Sequence, residues 1–194
     1  MFHHRIMLMA GIAALAAPGI AQANDVSRQV DVNAIVDGAC GMGSPVDSII
    51  DLGDLTGPDG ALDPQLTGTN VAGHTIIADA WCNTPHKITM KATPMALQST
   101  PAYAQPAYMA RKLTYQAKLK NWLPGADLGL RPLGGGDITS LTLDNARAAA
   151  APGLDLQISD LETLNVAGNA EQPNLMLEVG HYLGTVTITL ETNP

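Results

Sequence analysis

Apolar and polar positions alternate with a period of two in segment after segment of this chain. In Gln29–Cys40, Val30, Val32, Ala34 and Val36 fall on one parity, while Gln29, Asp31 and Asn33 fall on the other. Successive side chains of a strand point to opposite sides, so this is the pattern of a strand with one apolar and one polar face. Lys87–Ala92, Leu113–Leu119 and Leu154–Ile158 read the same way, with Leu113, Tyr115, Ala117 and Leu119 sharing a face, and Thr75–Cys82, apolar without alternation, is also expected to be a strand. The clearest case is Thr185–Leu190, where Val186, Ile188 and Leu190 alternate with threonines as in a half-buried strand. Thr139–Leu143 and Leu175–Val179 carry the pattern over shorter spans.

Between these segments the chain is turn chemistry. Ser48–Leu55 is a short apolar stretch closed by Thr56-Gly57-Pro58-Asp59-Gly60, a strong turn signal. Residues 60–74 and 93–110 have no usable period and are expected to be irregular. Pro124-Gly125 and Pro132–Asp137 bracket a loop-rich region around Trp122, with Gly134-Gly135-Gly136-Asp137 expected as a hairpin connection. Asp144–Ala151 has helical propensity for one or two turns before Pro152 stops it. Thr75–Cys82 and Lys87–Ala92 form either a hairpin or neighbouring strands of different sheets. About seven to nine strands with little helix predict an all-β domain, most economically an immunoglobulin-like β-sandwich.

The first residues stand apart from this pattern. Arg5 precedes an apolar run, Ile6–Ala17, and Ala21-Gln22-Ala23 places small residues where a signal peptidase reads them. Residues 1–23 are therefore expected to be a signal peptide, with an exported chain beginning at Asn24. The run is short for a membrane span, and no later segment approaches ~20 apolar residues.

Composition sharpens this picture. The chain carries a net charge of −8, and all 18 acids lie beyond the leader, which removes only Arg5 from the basic side. No basic patch is visible, which argues against nucleic acid as a partner. Charged residues make up 14% and aromatics 4%, both low for a globular enzyme. The 19 glycines and 13 prolines fit many turns between strands. The two cysteines, Cys40 and Cys82, are expected to pair in an exported protein. Closing a loop of that length contributes about 4 kcal/mol in the chain-entropy account.

Candidate chemistry is thin. His74, His86 and His181 are scattered, with no ligand-type residue at a metal-binding spacing. Asp51, Asp54, Asp59 and Asp63 are dense enough to suggest calcium, but they lack the alternate-position pattern of a calcium loop. Gly-x-Ser-x-Gly is absent, and no Lys-Ser/Thr follows the glycine run at 134–136. No acid, base and oxyanion stabiliser assemble, so no catalytic residue, cofactor or metal is expected and function is sought in assembly or binding.

Several of these segments together resemble a family. They are Gln29–Cys40, Asp51–Thr56, Trp81-Cys82 followed by Ile88-Thr89-Met90, Leu113–Ala117, and the closing Val179–Leu190. A leader, an alternating Val-Asp-Val strand, a cysteine, a Gly-containing turn and a second cysteine resemble the secreted pilins of the archaic chaperone–usher pathway. They are similar also to the related spore coat protein U-like domain. The chain departs from that pattern in having no aromatic near Asp51 and in its polar tail after Leu190.

The resemblance implies a sandwich that lacks its final strand and is completed by a neighbour. Residues 24–36 would then be a donor strand presenting Val30, Val32, Ala34 and Val36, and residues 37–194 the pilin-like domain. Val186, Ile188 and Leu190 would form the strand bordering the acceptor groove. Implied partners are a periplasmic pilus chaperone, an outer-membrane usher and copies of the chain or related subunits, with the product a fimbrium on the cell surface. The alternative is a self-complete secreted β-sandwich that binds a glycan or surface polymer. In that case residues 24–36 pair within their own domain.

Overall fold

The computed structural model describes residues 33–123, 126–134, 137–146 and 153–192. Among them the chain is all-β, with no helix. In chain order the strands are β1 (Cys40–Gly41), β2 (Val71–Ile77), β3 (Trp81–Cys82), β4 (His86–Ala92), β5 (Met95–Leu97), β6 (Met109–Ala110) and β7 (Lys112–Leu123). They continue as β8 (Ala126–Leu130), β9 (Asp137–Leu143), β10 (Leu154–Thr163), β11 (Met176–Leu177), β12 (Tyr182–Leu183) and β13 (Val186–Thr192).

The larger sheet has the order β12-β5-β7-β10-β2, with β8 also pairing β7, and the smaller one the order β13-β4-β9. All pairings in both are antiparallel. Alternation decides what each strand buries. Ile88, Met90 and Ala92 of β4, Leu113, Tyr115, Ala117 and Leu119 of β7, and Leu154, Leu156 and Ile158 of β10 belong to one core cluster. Burying each large apolar side chain contributes about 1.5–3 kcal/mol. Two antiparallel sheets that share one core are consistent with a β-sandwich.

The chain divides into two units, Met1–Val36 and Asp37–Pro194. In the first, Ala34, Ile35 and Val36 are exposed and belong to no strand. Val30 and Val32 lie outside the described residues. In the second, Cys40 and Cys82 are disulfide-bonded and face each other across the β1–β3 pair.

Several sequence expectations need correction. Thr75–Cys82 is not one strand: Asp79 adopts a left-handed conformation (φ 54°), which ends β2 and turns Trp81-Cys82 towards β1. β2 and β4 accordingly belong to different sheets and form no hairpin. Ser48–Leu55 makes no strand, although Ile50, Leu52 and Leu55 pack against the core. The irregular stretch 93–110 contains β5 and β6, and the loop assigned around Trp122 is the end of β7 followed by β8. Gly134–Asp137 joins strands of different sheets, so it is not a hairpin connection. Asp144–Arg147 begins no helix at 144–146, and 147–152 lies outside the described residues.

One buried ion pair ties the long 93–110 connection to the segment before β12. The Glu178 side chain is 2% exposed and receives a hydrogen bond from Arg111 Nε at 2.5 Å and another from the Tyr103 hydroxyl. The Tyr182 hydroxyl donates to the carbonyls of Ala110 (3.0 Å) and Glu178 (2.7 Å), closing the same junction. The Arg111 hydrogen bond, helped by the one from Tyr103, holds the Glu178 carboxyl below its ordinary value of 4.5.

Two outcomes follow. Replacing Cys40 or Cys82 by Ser should cost up to about 4 kcal/mol and speed proteolysis of the folded protein. Urea titration and timed protease digestion measure it, and a mass corresponding to two free thiols in the native protein contradicts the bond. The depressed carboxyl makes a stabilising contribution that is fully present above about 4.5 and is lost as pH falls through the folded-state value. Glu178→Gln should therefore be less stable than the parent at neutral pH. Its unfolding midpoint should also vary less between pH 5 and pH 2, as followed by circular dichroism.

Candidate functional site

The strongest feature is an apolar groove of about 510 Å³ that runs beside the last strand. Three parts of the fold build it. β13 is an edge strand: it pairs β4 on one side, Val186 opposite Ala92 through Thr192 opposite His86, and no strand among the described residues pairs its other edge. Antiparallel geometry turns alternate N–H and C=O groups away from the partner, so that outer edge presents a row of backbone donors and acceptors. Val186, Ile188 and Leu190 are half-buried and pack against the core, while Thr187, Thr189 and Glu191 are exposed. Their counterparts on β4, Ile88, Met90 and Ala92, are fully buried. β13 is covered on its core side less completely than its neighbour.

The floor comes from the larger sheet, from Ile77 of β2, Met95 of β5, Tyr115 of β7 and Leu156 and Ile158 of β10. The Tyr115 hydroxyl donates to the carbonyl of Thr93 (2.9 Å) and lies 3.3 Å from that of Thr185. It thereby stitches the floor to the start of β13. Burial pushes the Tyr115 phenol up to about 12, and burial likewise pushes Tyr182 up to about 12. Both are neutral at physiological pH, so the floor carries no charge.

The opposite wall is the segment from Met42 to Leu52. It follows the free edge of β2: Gly43 N–H donates to Ala78 O (2.9 Å), Val46 N–H to Ile76 O (2.7 Å), and Asp47 N–H to Thr75 Oγ1 (3.0 Å). Further along, Ile50 and Leu52 lie over Gly73. A Cβ there would overlap Ile50 Cγ2 and approach Leu52 Cδ2 to 2.8 Å. A glycine in the middle of β2, weak by strand propensity, is what lets this wall close down on the sheet. Asp47, at the exposed margin, is the one acid among the lining residues. Such a lining receives apolar side chains and offers no acid–base pair.

Of the residues singled out by sequence, Val186 and Ile188 line the groove, and Leu190 shares their face beyond it. The histidines belong to separate elements. His74 is exposed on β2, 3.4 Å from Asp155; His181 is exposed; His86 is buried, with Nδ1 3.0 Å from Thr84 O and its ring edge-on to Trp122. Asp51, Asp54, Asp59 and Asp63 each accept from the N–H two residues on, at 2.9–3.1 Å. These are four Asx turns, which explains the density of aspartates by turn chemistry. Among the described residues no group of three or more His, Cys, Asp or Glu is placed to hold a metal ion. The Met42–Leu52 wall was missed from sequence. Its only signal there was Ile49-Ile50 and Leu52 in a stretch without alternation.

The packing over Gly73 is testable. Gly73→Ala should lower stability by about 1–3 kcal/mol through overpacking, and Ile50→Ala in the same chain should recover part of the loss. A double-mutant cycle of urea midpoints measures this. Independent, additive losses would show that the two positions do not touch.

No protein-family model, no curated protein and no solved structure matches this chain.

Proposed function

We propose that this protein is an exported structural subunit of a surface pilus or fibre. In this reading its immunoglobulin-like sandwich lacks a final strand, and a strand from another molecule enters the groove beside β13. The observation that carries it is β13 itself: a well-formed strand whose outer edge no strand among the described residues pairs, with Val186 and Ile188 facing an open apolar groove. A strand laid along that edge takes up the outward N–H and C=O groups, and every second side chain enters the groove. Strand addition of this kind is the known mode of chaperone–pilin pairing.

The occupant we propose is residues 24–36 of the next subunit. Val30, Val32, Ala34 and Val36 supply one apolar parity, and the described part of that stretch is exposed. A periplasmic chaperone would fill the groove before assembly and an outer-membrane usher would catalyse the exchange. Export through a cleaved leader at residues 1–23, passage through the periplasm and display at the surface belong to the same proposal. The role needs no enzymatic activity, cofactor, metal or nucleic acid.

The test is a pair of substitutions made in cells that also express the cognate chaperone. A donated valine contributes about 1.5–3 kcal/mol by burial, whereas an unpaired carboxylate in its place is strongly unfavourable. Val32→Asp should abolish fibres while leaving a soluble, disulfide-bonded, chaperone-bound subunit. Ile188→Asp, on the groove strand, should destroy both the folded domain and its chaperone complex. Size-exclusion chromatography and a surface-fibre assay read the two outcomes. If Val32→Asp unfolds the isolated subunit as thoroughly as Ile188→Asp does, the first strand belongs to its own domain, and the self-complete binding module replaces the fibre subunit.

A further inference from the structure

A second surface lies on the connection between β5 and β6 and does not depend on the groove. Residues 101–108 repeat a triplet, Pro101-Ala102-Tyr103 and Pro106-Ala107-Tyr108. Both tyrosines are solvent-facing, 55% and 64% exposed, whereas the other two in the chain, Tyr115 and Tyr182, are held in the core or against it. The parallel pair of β6 with β11 brings a second segment alongside, through Met176 N–H donating to Tyr108 O at 3.1 Å. That segment adds Met176, 44% exposed, and Val179, 95% exposed. Four exposed apolar or aromatic side chains thus come from two segments joined by one strand pair.

Tyr103 is not a free surface ring. Its hydroxyl is bonded to the buried Glu178 carboxylate, and the Arg111 guanidinium lies 5.1 Å from its ring centroid. Arg111 also donates to the Tyr103 carbonyl at 3.1 Å, and Gln105 Nε2 donates to Met109 O at 2.6 Å across the second triplet. The loop is therefore fastened by side chains at both triplets. A ring held in place loses little rotamer freedom when a ligand stacks on it. Orientation by a buried ion pair is more than simple solvation of an exposed tyrosine requires.

Area and charge restrict what such a surface takes. Two part-exposed tyrosines with a methionine and a valine offer on the order of 500 Å² of contact, against about 800 Å² per partner in a stable protein interface. Pro101–Ala110 carries no charged side chain, Glu178 is matched by Arg111, and the other titratable groups on Leu175–Gly184 are His181 and the Tyr182 phenol, which burial keeps neutral. The protein as a whole is strongly acidic, at −8, which disfavours an anionic polymer. Exposed aromatic rings in a small, neutral setting, one of them held by Glu178 and Arg111, match the C–H face of a pyranose ring, whose hydroxyls stay outward in water. We propose that the twin Pro-Ala-Tyr loop is a binding platform for a neutral saccharide chain, with Tyr103 and Tyr108 as its stacking rings.

The experiment is affinity electrophoresis of the full exported chain in native gels containing a neutral polysaccharide, either a mixed-linkage β-glucan, a galactomannan or a mannan. Alginate serves as the anionic comparison. The parent should be retarded by at least one neutral polymer and not by alginate. Tyr108→Ala should weaken that retardation at least tenfold. Tyr103→Phe, which keeps the ring but loses its bond to Glu178, should weaken it less than Tyr103→Ala does. Ile138→Ala, an exposed apolar residue on β9, should leave retardation unchanged, and unaltered circular dichroism should show that the tyrosine variants remain folded. Absence of retardation by all three neutral polymers overturns the proposal, as does undiminished retardation of the Tyr103→Ala, Tyr108→Ala double variant. Concentration-dependent self-association that Tyr108→Ala abolishes overturns it in favour of a second copy of the chain.

Discussion

A three-stranded sheet has to cover a larger one, and the rest of the structure answers to that mismatch. β4 lies in the middle of its sheet and buries Ile88, Met90 and Ala92 completely. β13, at the edge, holds Val186, Ile188 and Leu190 only half-buried over the same core. Hydrophobic stabilisation scales with area removed from water, so this border is where the core is least complete. The Met42–Leu52 segment supplies a wall at the far side, and Tyr115 ties the floor to the strand. Neither covers the outer edge of β13. The groove is thus a product of strand number, and its apolar lining follows from the ordinary alternation of strands whose inner faces meet there.

The parts of this arrangement that were legible in the sequence are those governed by a local period. Leu113, Tyr115, Ala117 and Leu119 announced the inner face of β7, and Thr185–Leu190 announced β13, which runs two residues further into the expected polar tail, to Thr192. What stayed hidden was set by backbone conformation or by distant partners. Nothing in Thr75–Cys82 marks Asp79 as left-handed, yet that one residue splits the strand and delivers Cys82 to Cys40. Ala126–Leu130 carries an aspartate and a glycine, poor strand formers, and is a strand because β7 pairs with it. The wall at Met42–Leu52 has no period at all. It is held by four hydrogen bonds to β2 and its flanks, and by the missing side chain of Gly73, which sequence spacing does not encode.

The two proposed surfaces divide the labour of the fold. The groove gathers apolar side chains and backbone groups that no described strand pairs, the chemistry of strand addition. The Pro-Ala-Tyr loop displays two exposed rings, of which Tyr103 is oriented by a buried ion pair, the chemistry of stacking. They draw on different residues, and the Arg111–Glu178 junction that orients Tyr103 also anchors the segment leading into β12. The low aromatic content of the chain gives weight to where its few rings are placed.

The position of the disulfide has a mechanical consequence. Cys40 comes soon after the start of the folded unit at Asp37 and is bonded to Cys82, which leads through a short turn into the central strand β4. Tension applied at the N-terminal side of the domain is handed to β4 through a covalent link before it can peel β2 from its sheet. The residues enclosed between the cysteines, including β2 and the groove wall, are shielded from that load path. Traction from this end bears on a strand held by hydrogen-bond ladders on both sides, to β13 and to β9, and not on an edge strand held on one.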